Sequence, residues 1–301
     1  MINPRSESPA SGFSAAQERM RHVPEPLQPD APLPQGEVGA VYPVNEQHLE
    51  DFQVGGVERS LPPAEQLAQL VSYMESSYPL PGSTRAGIGA DSTGADTDAV
   101  DRYLAALPDR LTHAAMLMLG SGLDHTMPGV AYGMDVDARD LPDLGARVFV
   151  PAGSAQPAGR WAVALHPGFG PRAVEHYWRP LVAAVAQLSG TTIVDLNDTC
   201  GSGARGTLNE AFEYIAAQNP SDARVTVWAA GGGAALLAEQ HPADSVVLTF
   251  PVSGPPAGPG GKPVQVRTTG DYAVAQAGPG IIATPEEYRR IVRDIADDLR
   301  A

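Results

Sequence analysis

The stretch at residues 223–239, ARVTVWAAGGGAALLAE, constrains the fold more than any other part of the chain. Val225, Val227 and Trp228 form an uncharged β-branched and aromatic run, the pattern of a strand buried on both faces. Gly231, Gly232 and Gly233 follow at once, and Ala234, Ala235, Leu236, Leu237, Ala238 and Glu239 are then all good helix formers. A sharp strand-to-helix turn is expected at the glycines, because only residues without bulk tolerate the φ/ψ values that it demands. Turns of this kind present either one reactive side chain or a row of backbone N–H groups.

The flanking sequence alternates in the same manner. VAYGMDVD (residues 130–137), ARVFVPAG (146–153), WAVALHPGFG (161–170), TTIVDL (191–196), VVLTF (246–250) and PVQVRTTG (263–270) read as strands. Helical spacing marks residues 173–188 and 207–218, and a helix over 285–299 completes the chain. Such alternation implies a mostly parallel sheet with helices on both faces, in which ligands sit at the carboxyl ends of the strands.

Before the sheet, residues 61–128 read as a helical, cap-like region. Leu67, Leu70, Val71 and Met74 carry a first helix. Residues 82–98 read as a loop, and Asp98 is placed to cap a second helix bearing Val100, Tyr103, Leu104 and Leu107. A third begins at Asp109 after Pro108, with Met116 and Met118 read as packing residues. Residues 1–60, rich in Pro, Ser, Glu and Gln without an apolar period, read as a disordered arm. Residues 129–301 form the sheet-bearing core.

The formal net charge of −15 argues against nucleic acid or an anionic membrane surface as partner, since both would repel such a protein. The single cysteine, Cys200, excludes an intramolecular disulfide, and neither a secretory h-region nor an apolar run of about 18 residues occurs. The expectation is a cytoplasmic protein. The seven histidines include no i, i+4 pair, and Asp124 beside His125 is a poor start for a metal site because adjacent side chains diverge. No metal and no cofactor is expected.

The order of elements, two meandering strands and then strand, helix, strand, helix, strand, tight turn, resembles the α/β-hydrolase fold. The local text is similar to its hormone-sensitive-lipase-like esterase branch. ARVFVPAG followed by AVALHPGFG resembles the strand pair leading into that family's HGGG oxyanion loop. DARVTVWAAGGGAALLA resembles the nucleophile elbow, and VRTTGDYAV the strand whose end bears the triad acid. The likeness covers roughly residues 130–301. By this resemblance Ala229 stands at the elbow's first glycine, Ala230 at its acidic residue and Gly231 at the nucleophilic serine, with Gly232 and Gly233 at the small residues that follow.

A glycine has no oxygen to acylate, so the resemblance implies an elbow without its nucleophile. Asp271 stands at the acid position, and no histidine follows it, the last in the chain being His241. His166 corresponds to the leading histidine of the oxyanion motif, with Gly168, Phe169 and Gly170 behind it; Pro167 replaces the first glycine and removes one N–H donor. His166 reads either as part of that loop's function or as a buried imidazole bonded to backbone that holds the loop in place.

The reading is a non-catalytic homologue that binds a small acyl or apolar ligand, or a protein partner, through the former cleft. The alternative is a working hydrolase with a relocated nucleophile, Cys200 or Ser202, served by His166 or His176 as base. Two phosphate-binding readings are weaker. Dinucleotide binding lacks the third glycine, where Leu236 stands, and an acidic residue after VVLTF. A likeness to aminoimidazole-ribotide carboxylases places Leu236 at that family's histidine, with GARGTL its only counterpart to the preceding motif.

Overall fold

Among the described residues, seven strands form one sheet whose centre coincides with the most continuously apolar sequence. The computed structural model describes residues 62–82, 94–119, 135–152, 159–218, 223–238, 241–252 and 262–301. The arm expected over 1–60, the Gly/Pro-rich stretch 253–261, and His22, His48, Asp124 and His125 lie outside the described residues.

In chain order the strands are β1 (Val136–Leu141), β2 (Ala146–Pro151), β3 (Arg160–Leu165), β4 (Thr192–Leu196), β5 (Arg224–Ala230), β6 (Ser245–Thr249) and β7 (Val264–Arg267). Their order across the sheet is β1-β2-β4-β3-β5-β6-β7; β2 runs antiparallel to both its neighbours, β1 and β4, and the remaining pairs are parallel. This is the α/β-hydrolase-like architecture expected from the sequence. β4 and β6 are buried at every residue and β3 at all but its first, whereas the edge strands β1 and β7 keep partly exposed positions. Among the described residues β1 starts at Val136, with Ala138 opposite Phe149 and Arg139 opposite Val148; the expected strand start at Val130 lies outside the described residues.

Helices cover both faces, as the alternation requires. On one face, β3 and β5 send Ala162, Ala164, Trp228 and Ala230 into a cluster with Val182, Val185, Ile291 and Ile295. On the other, Trp161, Val163, Leu165, Val227 and Ala229 meet Leu208, Phe212 and Ile215 of the helix Ala204–Gln218. The side-chain period of two divides each strand between the faces.

The N-terminal region holds α1 (Pro63–Ser77), α2 (Gly94–Ala105) and α3 (Leu107–Leu119). Asp98 lies inside α2 instead of capping it, and it pairs with Arg102 and with Arg172 of the core. Met118 packs against the core, but Met116 is 47% exposed, which corrects its reading as a packing residue. α4 spans residues 171–189 as a short helical start, a π turn (Val174–Trp178) and a regular segment (Arg179–Ser189). Pro180 explains the wide turn: it has no N–H to give the carbonyl four residues back, and its ring crowds that carbonyl. α5 is Ala204–Gln218, and α6 (Pro285–Arg300) turns Ile291, Val292, Ile295, Ala296 and Leu299 inward from an N-cap at Thr284. A hairpin of β8 (Val274–Ala277) and β9 (Gly280–Ala283), unforeseen in the sequence, follows Asp271. Among the described residues, no helix is long and apolar enough to cross a membrane.

Candidate functional site

β3 and β5 are neighbours in register, with Leu165 opposite Ala229, so the turn after each strand emerges at the same place on the sheet. Gly231 follows β5 with φ +50°, the left-handed backbone of a sharp turn. The turn enters a 3-10 segment (Gly231–Ala238) instead of the expected α-helix. Gly233 explains the tightness: a Cβ there would lie 2.6 Å from the carbonyl oxygen of His166 and 2.9 Å from that of Leu165. The run of glycine thus lets the turn press directly against the end of β3.

At Gly231 the neighbour is Pro167. A Cβ on Gly231 would lie 2.7 Å from Pro167 Cβ, 3.3 Å from its Cγ and 3.4 Å from its Cα. The space in which a serine would begin is filled by the ring. A Cβ on Gly232 would lie 3.2 Å from the Pro167 carbonyl oxygen, so the same residue covers both positions.

The His166 loop turns its donors inward. His166 is 1% exposed, and its Nδ1 accepts from the backbone N–H of Gly168 (3.2 Å) and of Phe169 (3.0 Å). Two donors on Nδ1 put the ring proton on Nε2, which donates to the Asn197 carbonyl at 3.3 Å. Burial lowers the pKa of His166 to about 4, against the raising effects of the Asn197 carbonyl and of Asp198. The imidazole is therefore neutral, and both N–H groups that could face an oxyanion are bonded to it. The Phe169 ring lies parallel to it at 6.2 Å. Gly170 passes so close to Asp101 of α2 that a Cβ would come within 2.5 Å of that carboxyl group.

Cys200 is exposed, and its Sγ lies over Gly168, 2.8 Å from where a Cβ would be. Between it and His166 stands Thr199, whose hydroxyl lies 3.9 Å from Cys200 Sγ and 3.2 Å from His166 Nδ1. That hydroxyl donates to the His166 carbonyl at 2.9 Å, so it has no second proton with which to relay between thiol and imidazole. Ser202 is exposed in the turn before α5. Asp271 accepts from the backbone N–H and the hydroxyl of Thr268, at 2.7 and 3.0 Å, in a local capping box. These bonds, the backbone one first, hold its carboxyl below the usual range. Gly231, Gly232, His166, Gly168, Phe169 and Gly170 are thus gathered at one end of the sheet. Asp271 is committed to its own turn.

Of the remaining described histidines, His113 and His176 are exposed, and His241 precedes β6, at the amino end of that strand. Among the described residues no group of three or more His, Cys, Asp or Glu side chains is arranged to hold a metal ion. Beside the turn lies an apolar cavity of about 40 Å³, walled by Pro167, Ala230, Phe250, Trp228 and Ile291 among others. That is room for about one water molecule. Phe250, at φ +52°, is the one described residue other than glycine with a left-handed backbone, and its ring meets Tyr272 edge-on at 5.7 Å. Sequence reasoning missed Thr199, Asn197 and Phe250. In the sequence Pro167 reads only as a missing donor; HPGFG and the glycine turn lie far apart in the chain, and the pairing of β3 with β5 is what brings its ring to Gly231.

No protein-family model and no curated protein matches this sequence. Among solved structures, the chain is similar to an esterase from the bacterial hormone-sensitive lipase family, at 14% identity and a TM-score of 0.45, over 80% of this chain and 99% of that one. It is similar to a hormone-sensitive lipase from a metagenome library at 15% identity and a TM-score of 0.41, over 64% of this chain and 58% of that one. A hyperthermophilic esterase from the archaeon Pyrobaculum calidifontis gives 17% identity and a TM-score of 0.36, over 52% of this chain and 53% of that one. The chain thus spans little more than half the length of the second and third. The fold rests on the strand order and not on these likenesses.

Proposed function

We propose that this protein is a non-catalytic member of the hydrolase-like folds, retained for binding and not for ester cleavage. The observation that carries this reading is the approach of Pro167 to Gly231, 2.7 Å from the position that a nucleophile's Cβ would take. Three further observations support it. The Gly168 and Phe169 N–H groups are bonded to His166, Asp271 is held by Thr268, and the 40 Å³ beside the turn is too small for an acyl chain. A protein partner or a ligand seated away from the turn fits better than an acyl group in the former cleft.

Assay of the purified protein with short p-nitrophenyl esters tests the reading. The expected result is no turnover above buffer, unchanged in Cys200→Ala and Ser202→Ala. Gly231→Ser is expected to stay inactive, because among the described residues no base is positioned to activate its hydroxyl. Turnover lost on replacing Cys200 or Ser202 would instead establish a relocated nucleophile.

A further inference from the structure

A second cleft, of roughly 470 Å³, opens on the β4 side of β3, whereas Gly231 lies on the β5 side. Its volume falls within the range of small-molecule sites. Its walls come from three places: Asp140 and Arg147 from the β1–β2 hairpin, Glu175 and Arg179 from α4, and Asn197 from the end of β4.

These side chains form a row of alternating charge. Arg147 Nε donates to Asp140 Oδ1 at 2.6 Å, and its Nη1 to Glu175 Oε1 and Oε2 at 2.9 and 3.2 Å. Glu175 Oε2 also accepts from Arg179 Nη1 at 2.5 Å. The Arg179 side chain, 9% exposed, is fixed further by Asp195 Oδ2 on Nε at 3.2 Å and Asn197 Oδ1 on Nη2 at 2.6 Å. Glu175, in the π turn, and Arg179, the first residue after it, share this wall. Those three bonds use three of the five N–H donors of its guanidinium.

A buried arginine with a carboxylate on either side is an expensive way to build a wall, because desolvation offsets most of the attraction between the charges. It is an effective way to build a rigid receptor, since the groups are oriented before a ligand arrives. The charges also select the ligand. Among the side chains that line the cleft, Arg147 and Arg179 are matched by Asp140 and Glu175, and Asp195 behind Arg179 adds a further carboxylate, so neither the row nor the whole protein at −15 favours a simple anion. A molecule with one charge would gain at one residue of the row and lose at the next. A molecule carrying both charges a few ångströms apart gains at both.

We propose that this cleft binds a small zwitterion of the free α-amino-acid type, its carboxylate on Arg147 and Arg179 and its ammonium on Asp140 and Glu175. The proposal is independent of whether the Gly231 turn is inert, and its test uses binding, not ester hydrolysis.

Titration of the full chain, by calorimetry or by ligand-observed NMR, with glycine, alanine and serine tests it. Acetate, ethylamine and methyl glucoside serve as probes for one charge or for none. The amino acids are expected to bind at least about tenfold more tightly than acetate or ethylamine, with methyl glucoside silent. Asp140, 67% exposed, can be changed without disturbing the core, so Asp140→Asn is expected to keep the thermal midpoint while weakening the amino acids severalfold. Arg147→Gln is expected to weaken them further. Absence of amino-acid binding at millimolar concentration overturns the proposal, as does acetate binding equally well, methyl glucoside binding best, or affinity unchanged in both variants.

Discussion

Gly231 carries a left-handed backbone and a contact surface already taken by Pro167, so two separate penalties attach to any side chain there. Gly231→Ala is expected to destabilise by about 2–4 kcal/mol, the left-handed conformation and the overpacking acting together. Adding Pro167→Gly removes the crowding but not the backbone penalty. In urea denaturation, the double variant is therefore expected to lose less than the sum of the two single losses. Additive losses would mean that the two residues do not touch. His166 supplies a second expectation at this scale. Its folded pKa of about 4 lies below the ordinary 6.5, so between these values the unfolded chain binds more protons. Stability from His166 is thus complete above about pH 6.5 and is lost as pH falls toward 4, by on the order of 3 kcal/mol. Asp195, pushed up to about 6 by burial, works in the opposite sense, its unfavourable effect growing as pH rises from 3.8 toward 6. The two are separated by comparing the protein with His166→Asn: the difference in their stabilities is expected to shrink as pH drops from 6.5 to 4.

At the scale of elements, Asp101 joins the N-terminal helices to the core. It is 5% exposed on α2, and it accepts from the Arg172 and Ala173 backbone N–H groups at the start of α4, at 3.2 and 2.8 Å. A helix with glycine at its N-cap and proline at its first position has no side-chain cap of its own, so a carboxylate from another helix satisfies those donors. Asp101→Ala is expected to cost about 1–2 kcal/mol. Amide exchange is expected to quicken in α2 and at the start of α4 before it does so in β3 to β6; uniform change across the chain would show that Asp101 does not couple the two. Much of this scale could be read from the sequence. The runs AVALHP, TTIVDL and VVLTF gave their strands because a doubly buried strand needs uninterrupted apolar residues, and the period of 285–299 gave α6. What could not be read depends on contacts distant in the chain. Asp98 looks like a cap until Arg172, far along the sequence, claims it. Ala234 to Ala238 are helix formers by composition, yet the glycine turn, fixed against β3, draws them into 3-10 geometry. β8 and β9 are short and partly exposed, with too little pattern to stand out.

For the molecule as a whole, the division of β3 and β5 between two apolar layers decides how it unfolds. Trp161, Val163 and Leu165 belong to one layer while Ala162 and Ala164, between them in sequence, belong to the other. Neither layer can be lost while its strands stay in place, because the residues alternate along the same backbone. A single cooperative transition is expected, and the three tryptophans report on it from both sides. Trp161 lies in the layer with Phe212 and Leu248, whereas Trp178 and Trp228 lie in the other with their rings 4.8 Å apart. A chain keeping only Trp161 (Trp178→Phe, Trp228→Phe) and one keeping only Trp228 (Trp161→Phe, Trp178→Phe) differ in stability, so each is compared with its own far-ultraviolet dichroism. In both, fluorescence and dichroism are expected to give the same midpoint in urea. If the Trp161 signal moved at lower urea than the dichroism of the same chain, the α5 face would be peeling from the sheet by itself. The alternation along β3 and β5 would then not be enough to bind the two layers into one unit.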